Sequence, residues 1–226
     1  MSKSLNFDNQ KQPPVQLLSS SDLERCLQAV GDELVAAGAE AKLIVVGGAA
    51  LVLRGDVVRP TGDVDVLARV ERGELLVPAP LSPSLQSAIS RVAEGYGLEP
   101  GWINTAVSSD WRHRWPDGLP PGLDRVAWRS YGTLVVGLAG RETLIPMKLH
   151  AVLDLGAVPT FDASGNVTSA TVKLIGYDLR HLNDLRDLAP SDLELDAAAA
   201  WVRGQDVGDV EPQLQAVLAR VRAERT

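Results

Sequence analysis

VVGGAALVLRGDVVRPTGDVDVL, residues 45–67, is the stretch on which the reading of this chain turns. It opens on the end of an apolar, β-branched run, KLIVV (42–46), which reads as a buried strand. Gly47-Gly48 break that run, and glycine lets a backbone approach a ligand closely. Ala49 to Leu53 read as a short helix closed by Gly55. A helix starting at such a turn presents free N–H groups, which favour phosphate. After Arg59-Pro60-Thr61-Gly62, the segment DVDVLARV (63–70) alternates as a strand does. Side chains two apart on a strand share a face, so Asp63 and Asp65 project together. Adjacent carboxylates repel unless water or a divalent cation relieves them, and Mg²⁺ takes one or two carboxylates plus substrate phosphates. An anion cradle and a cation site thus occur in one short unit. The plainer reading is a strand-to-helix turn followed by two solvent-facing acids.

Working outward, Ser20 and Ser21 open a helix whose apolar positions Leu23, Cys26, Leu27, Val30, Leu34 and Val35 keep helical spacing up to Gly38. The proline-bearing stretch 77–83 reads as a loop, Leu85 to Gly97 as a helix, and 110–121 as a second loop. Val126 to Arg129 and Thr133 to Leu138 read as strands around a turn at Tyr131-Gly132. Helices are expected over Glu142 to Leu155 and Asp178 to Leu188, separated by a Gly/Ser/Thr-rich segment, 156–177. Pro190 stops the second, Ser191 caps the next, and two terminal helices follow near 192–203 and 210–224. The expected fold is therefore α+β, a small mixed β-sheet flanked by helices with a helical C-terminal section. Residues 1–16 read as a disordered tail, 17–189 as the main domain, and 190–226 as helices packed on that same domain.

The chain has 226 residues and a net charge of −7, which argues against broad, non-specific phosphate binding but leaves room for a local basic groove. A single cysteine, Cys26, excludes an internal disulfide and fits a reducing compartment. No apolar run reaches the roughly 18 residues needed to span a bilayer, and the polar N-terminus lacks a signal peptide's apolar stretch. A cytoplasmic protein with no membrane partner is expected. His113, His150 and His181 are not at metal-ligand spacing as a set, and Trp102, Trp111, Trp115, Trp128 and Trp201 read as core or loop anchors.

The 45–67 segment resembles the signature of the DNA polymerase beta-like nucleotidyltransferase superfamily: a glycine pair at a helix start, then an aspartate-x-aspartate strand. Within it the chain is similar to the AbiE-type toxin nucleotidyltransferases and their uncharacterised relatives. Arg59, Thr61, Asp63 and Asp65 match the form R-x-T-x-D-x-D. ETLIPMKLHA (142–151) resembles the family's lysine-bearing helix, the lysine here being Lys148. RHLNDLRDL (180–188) resembles R-x-x-K-D-x-x-D, with Arg180, Asp184 and Asp187 matching and Asn183 replacing the lysine. At i, i+4 and i+7 those three share a helix face, where Asp184 and Arg180 also have the spacing of an ordinary helical ion pair.

The resemblance implies transfer of an NMP from an NTP to an acceptor. Asp63 and Asp65 would hold Mg²⁺ (or Mn²⁺). Gly47, Gly48, Arg59, Thr61 and Lys148 would bind the nucleotide. Lys148 would also neutralise charge during catalysis, and Asp184 would be the remote catalytic carboxylate. The implied acceptor is RNA, the tRNA 3′ end in particular, in the manner of a toxin with a cognate antitoxin in a toxin–antitoxin or phage-defence system. A small-molecule, antibiotic-type nucleotidyltransferase and a catalytically degenerate nucleotide- or protein-binding module are the alternatives. A basic groove drawn from Arg54, Arg59, Arg112, Arg114 and Lys148 would favour RNA, and a closed apolar pocket a small molecule. The family's third metal carboxylate has no clear counterpart. In PGWINTAV (100–107) Thr105 stands where an aspartate is common, and Asp124 is a possible substitute. A phosphate added to Thr61 would set about −2 charge beside the acid pair and block a cation there.

Overall fold

The computed structural model describes residues 16–111, 115–154, 172–205 and 210–224. The expected N-terminal tail up to residue 15, most of the 156–177 segment, and Arg112, His113 and Arg114 lie outside them. The element order is α1 (Ser20–Ala36), β1 (Ala41–Val46), α2 (Gly47–Arg54), β2 (Val64–Glu71), β3 (Glu74–Leu76), α3 (Pro83–Tyr96), β4 (Ile103–Asn104), β5 (Ala127–Tyr131), β6 (Leu134–Leu138), α4 (Arg141–Asp154), α5 (Val172–Leu188), α6 (Asp192–Arg203) and α7 (Glu211–Ala223). Short 3₁₀ turns occupy Ala106–Asp110 and Leu123–Arg125.

Among the described residues the chain forms a mixed, open, six-stranded sheet with seven helices, an α+β architecture. The strand path is β3-β2-β1-β6-β5, with β4 beside the start of β2. β1 runs antiparallel to β2 and parallel to β6. It occupies the middle of the sheet, and Leu43 through Val46 are all buried, which is why its sequence is a continuous apolar run rather than an alternating one. Helix α1 begins in a reciprocal cap: the Asp22 N–H donates to the Ser19 hydroxyl and the Ser19 N–H to the Asp22 carboxylate. Ser191 and Glu194 repeat this at α6.

Four details differ from the sequence reading. β2 starts at Val64, so Asp63 lies in the bend just before the strand rather than within it. β3 extends β2 into a hairpin through Arg72 and Gly73, both at positive φ. β4, only two residues long, falls in a stretch with no expected strand. α5 starts at Val172, six residues before the expected Asp178.

The C-terminal helices share the main core, to which Leu195, Val202, Leu214 and Val221 belong. Arg141 at the start of α4 ties them further, donating to Glu194 at 2.8 Å and to the Leu188 carbonyl at 2.6 Å. Among the described residues no helix is long and apolar enough to cross a membrane.

Candidate functional site

The site gathers at the carboxyl end of β1. Val46 is the N-cap of α2 and offers no side-chain hydrogen bond to the helix's first turn. Gly47 has φ of +69°, and a Cβ there would overlap the Asp65 carboxylate oxygen. A Cβ on Gly48 would come within 2.6 Å of the Thr61 hydroxyl. Glycine at both positions is thus what lets the first turn of α2 seat directly against β2 and the bend before it.

Asp65 is fixed from two sides, opposite Val46 of β1 and Asn104 of β4. Its carboxyl is pushed up to about 6, first by burial and then by the charge of Asp63. Lys148 and a hydrogen bond from Asn104 act in the other direction without cancelling the rise. Asp65 is thus electrostatically under-compensated, as expected of a carboxylate whose counter-charge arrives with a ligand.

Asp184 has the opposite environment. It is fully buried, and the Arg59 guanidinium donates to both its oxygens at 2.7 Å. Lys148 Nζ lies 2.7 Å from Asp184 Oδ2, with its own side chain only 6% exposed, and 3.4 Å from His181 Nδ1. Burial, followed by the Lys148 charge, depresses the His181 imidazole to about 3, so it is neutral at pH 7. The resemblance implies a catalytic carboxylate at Asp184, and here that carboxylate is enclosed between two cations. Asp184 ties Lys148 of α4 and Arg59 of the 55–63 bend to α5. Its partner is Arg59 from a distant loop, not Arg180; Arg180 and Asp187 are exposed while Asp184 turns inward.

Arg59 is thus paired with Asp184. Thr61 is 5% exposed, and its backbone pairs in both directions with Leu18 at 2.6 and 2.9 Å. It pins the bend between Leu18 and the start of β2. Arg54 pairs with Asp56 at 2.8 Å. Three of the five cations expected to build a basic groove are therefore engaged with acids, and Arg112 and Arg114 lie outside the described residues.

Between these groups lies a cleft of about 150 Å³. Asp65, Gly47, Lys148 and His181 line one part, and Val46, Val107, Trp115, Leu144, Met147, His150 and Ala151 the remainder. Two of these, Trp115 and His150, pack with Trp201 behind them, ring centroids 5.8–6.2 Å apart. His181, Trp115 and Asn104 were missed as site residues by sequence reasoning. Asn104 stands one residue before Thr105, the position where the resemblance puts a third carboxylate. The register sets Asn104, an amide, beside Asp65. Asp124 does not supply that carboxylate: its side chain is 80% exposed, next to Arg125, and does not line the cleft.

Among the described residues no group of three or more His, Cys, Asp or Glu could hold a metal ion by itself. Asp63 and Asp65 still fit Mg²⁺ in the mode where one or two carboxylates act together with substrate phosphates. A larger open groove of about 560 Å³ lies at the opposite strand ends, among Glu40, Lys42, Arg69 and Glu71, away from these acids. Searches of protein-family models, curated proteins and solved structures find no match to this chain.

Proposed function

We propose that this chain is a metal-dependent nucleotidyltransferase with a nucleotidyltransferase-type domain, moving an NMP from an NTP to an acceptor hydroxyl. One observation carries the reading: the uncapped start of α2, an attractor of anions, abuts Asp65, half of an acid pair that attracts a cation. A metal–phosphate group satisfies both at once.

The Gly47 and Gly48 N–H groups receive the phosphates. Asp63 and Asp65 hold Mg²⁺ together with those phosphates; when bound, the ion supplies charge neutralisation and orientation for in-line displacement. An ammonium has three donors. Asp184 and His181 engage Lys148, which also lines the cleft and so offers positive charge to a phosphate there. Asp184 and Arg59 keep that lysine and the Asp63 bend in register.

The acceptor is proposed as RNA, tRNA in particular, with the chain acting as a toxin beside an antitoxin partner; this rests on the resemblance of its motifs. Two observations favour the alternatives. The engaged state of Arg54, Arg59 and Lys148, with an apolar cleft nearby, suits a small-molecule acceptor. Asn104 beside Asp65 suits nucleotide binding without turnover.

Incubation with each radiolabelled NTP, Mg²⁺ and total tRNA, with small hydroxyl compounds as a second arm, tests the proposal. Label transfer is expected and should fall at least about 10³-fold in Asp65→Ala, about 4 kcal/mol of lost transition-state stabilisation. Transfer that survives the substitution overturns the assignment.

A further inference from the structure

Lys148 is buried with three N–H groups to place, and the structure gives fixed partners to two of them. One lies 2.7 Å from Asp184 Oδ2, the other 3.4 Å from His181 Nδ1. The third is left for the cleft, which Lys148 lines together with Gly47 and Asp65. Asp184 is itself held through both oxygens by Arg59, so it is an immobile anchor. One anchor fixes where the ammonium sits but not its rotation about the last carbon–nitrogen bond. A second acceptor fixes that rotation, and with it the direction of the remaining N–H. His181 stands three residues before Asp184 on α5, so both reach Lys148 from one helix face.

An ammonium has no lone pair, so in this contact Nδ1 accepts and the single proton of the imidazole sits on Nε2. That requires a neutral ring. Burial first, then the Lys148 charge, hold His181 at about 3, with Arg180 and Arg59 acting in the same direction and Asp184 against it. An imidazolium here would have no acceptor to offer and would repel Lys148. In RHLND (180–184) His181 occupies a position that the resemblance of this helix leaves unspecified.

Resting on the nucleotidyltransferase reading, we propose that His181 is a positioning residue: as a neutral acceptor it orients the Lys148 ammonium so that the third N–H meets a phosphate oxygen in the cleft. The donor is aimed before the ligand arrives, so binding costs little further ordering of the lysine.

Two measurements on the full chain test this: isothermal titration with inorganic tripolyphosphate in the presence of Mg²⁺, and the imidazole nitrogen NMR spectrum at pH 7. The parent chain is expected to bind tripolyphosphate and to show the Nε2–H tautomer at His181, the signal being assigned by its loss in His181→Asn. His181→Leu removes the acceptor and should bind tripolyphosphate about tenfold more weakly, in line with one hydrogen bond. His181→Asn returns an acceptor oxygen near the place of Nδ1 and should stay within about threefold of the parent. Urea denaturation of each variant separates a loss of fold from a loss of aim. Equal losses in the two variants, or no loss in either, overturn the inference while the nucleotidyltransferase reading stands. A proton on Nδ1 in the parent chain does the same, whether or not His181→Leu folds. If the parent chain binds no tripolyphosphate, both are overturned.

Discussion

Asp184 and Asp65 both feel the charge of Lys148, yet the fold surrounds them differently. Asp184 is fully buried and holds a bidentate Arg59 and the Lys148 ammonium, so its desolvation is offset by two cations. Asp65 is also largely withdrawn from water, but its immediate partners are an amide, Asn104, and a like charge, Asp63. One acid has more counter-charge than it carries; the other has too little. The contrast separates an acid whose charge the fold compensates from one whose charge it does not. A compensated buried charge is a fixed strut, whereas an under-compensated one is tolerated only where something else completes it.

The comparison breaks first at the strut. Asp184→Asn keeps the shape of the side chain but leaves two cations facing each other in a closed interior. Loss of one partner from a buried ionic cluster costs about 3–5 kcal/mol. Urea denaturation should show a loss of that size, large against the 5–15 kcal/mol that holds a typical domain together. A loss below about 1 kcal/mol would mean that Arg59 and Lys148 reach other partners or solvent, and the strut interpretation would fail.

Asp65 should respond in the opposite sense. Its folded-state value of about 6 lies above the ordinary aspartate value of 3.8, so the ionised form opposes folding. Below pH 4 the acid is protonated in both states and contributes nothing. The penalty grows as pH rises to about 6 and is complete above it. Asp65→Asn should therefore stabilise the metal-free protein by on the order of 2 kcal/mol at pH 8 and have no effect near pH 3. Thermal melts across that range check the sign. A variant destabilised at pH 8 would show that Asp65 is already compensated. A more stable but inactive variant is what a functional acid predicts and a structural acid does not.

How much of this was legible in the sequence depends on how local the cause is. The strand 42–46 and the Ser191 cap are set by neighbouring residues and read correctly, whereas the first helix is capped by Ser19, one residue before the Ser20 and Ser21 expected to open it. The Gly47-Gly48 pair was identified from local pattern alone, although the reason for it, contact with Asp65 and Thr61, is tertiary. The spacing of Arg180, Asp184 and Asp187 put three charges on one helix face. Only packing against a bend far back in the chain decides that Asp184 alone turns inward, and no helical periodicity encodes that. β4 is two residues long, too short for any alternation to announce it, so the partner of Asp65 stayed hidden. Trp115 sits in a proline-rich loop whose position is fixed by α4 and α6 rather than by its own sequence.

Asn104 offers the finest adjustment of the contrast. It donates to Asp65, and its own Oδ1 accepts from the Ala106 N–H at 3.0 Å. Asn104→Asp keeps the second bond and exchanges the first for a like charge. In the absence of divalent cation this should cost about 1 kcal/mol at pH 8, a lost hydrogen bond plus screened repulsion. Adding Mg²⁺ should reverse the sign. A third acid beside Asp65 gives the ion another oxygen, so the melting temperature of the variant should rise more steeply with Mg²⁺ concentration than that of the parent chain. Equal Mg²⁺ dependence in the two proteins would show that the register neighbour of Asp65 does not face the cation. The argument for Asp65 as a ligand would then rest on Asp63 and substrate phosphates alone.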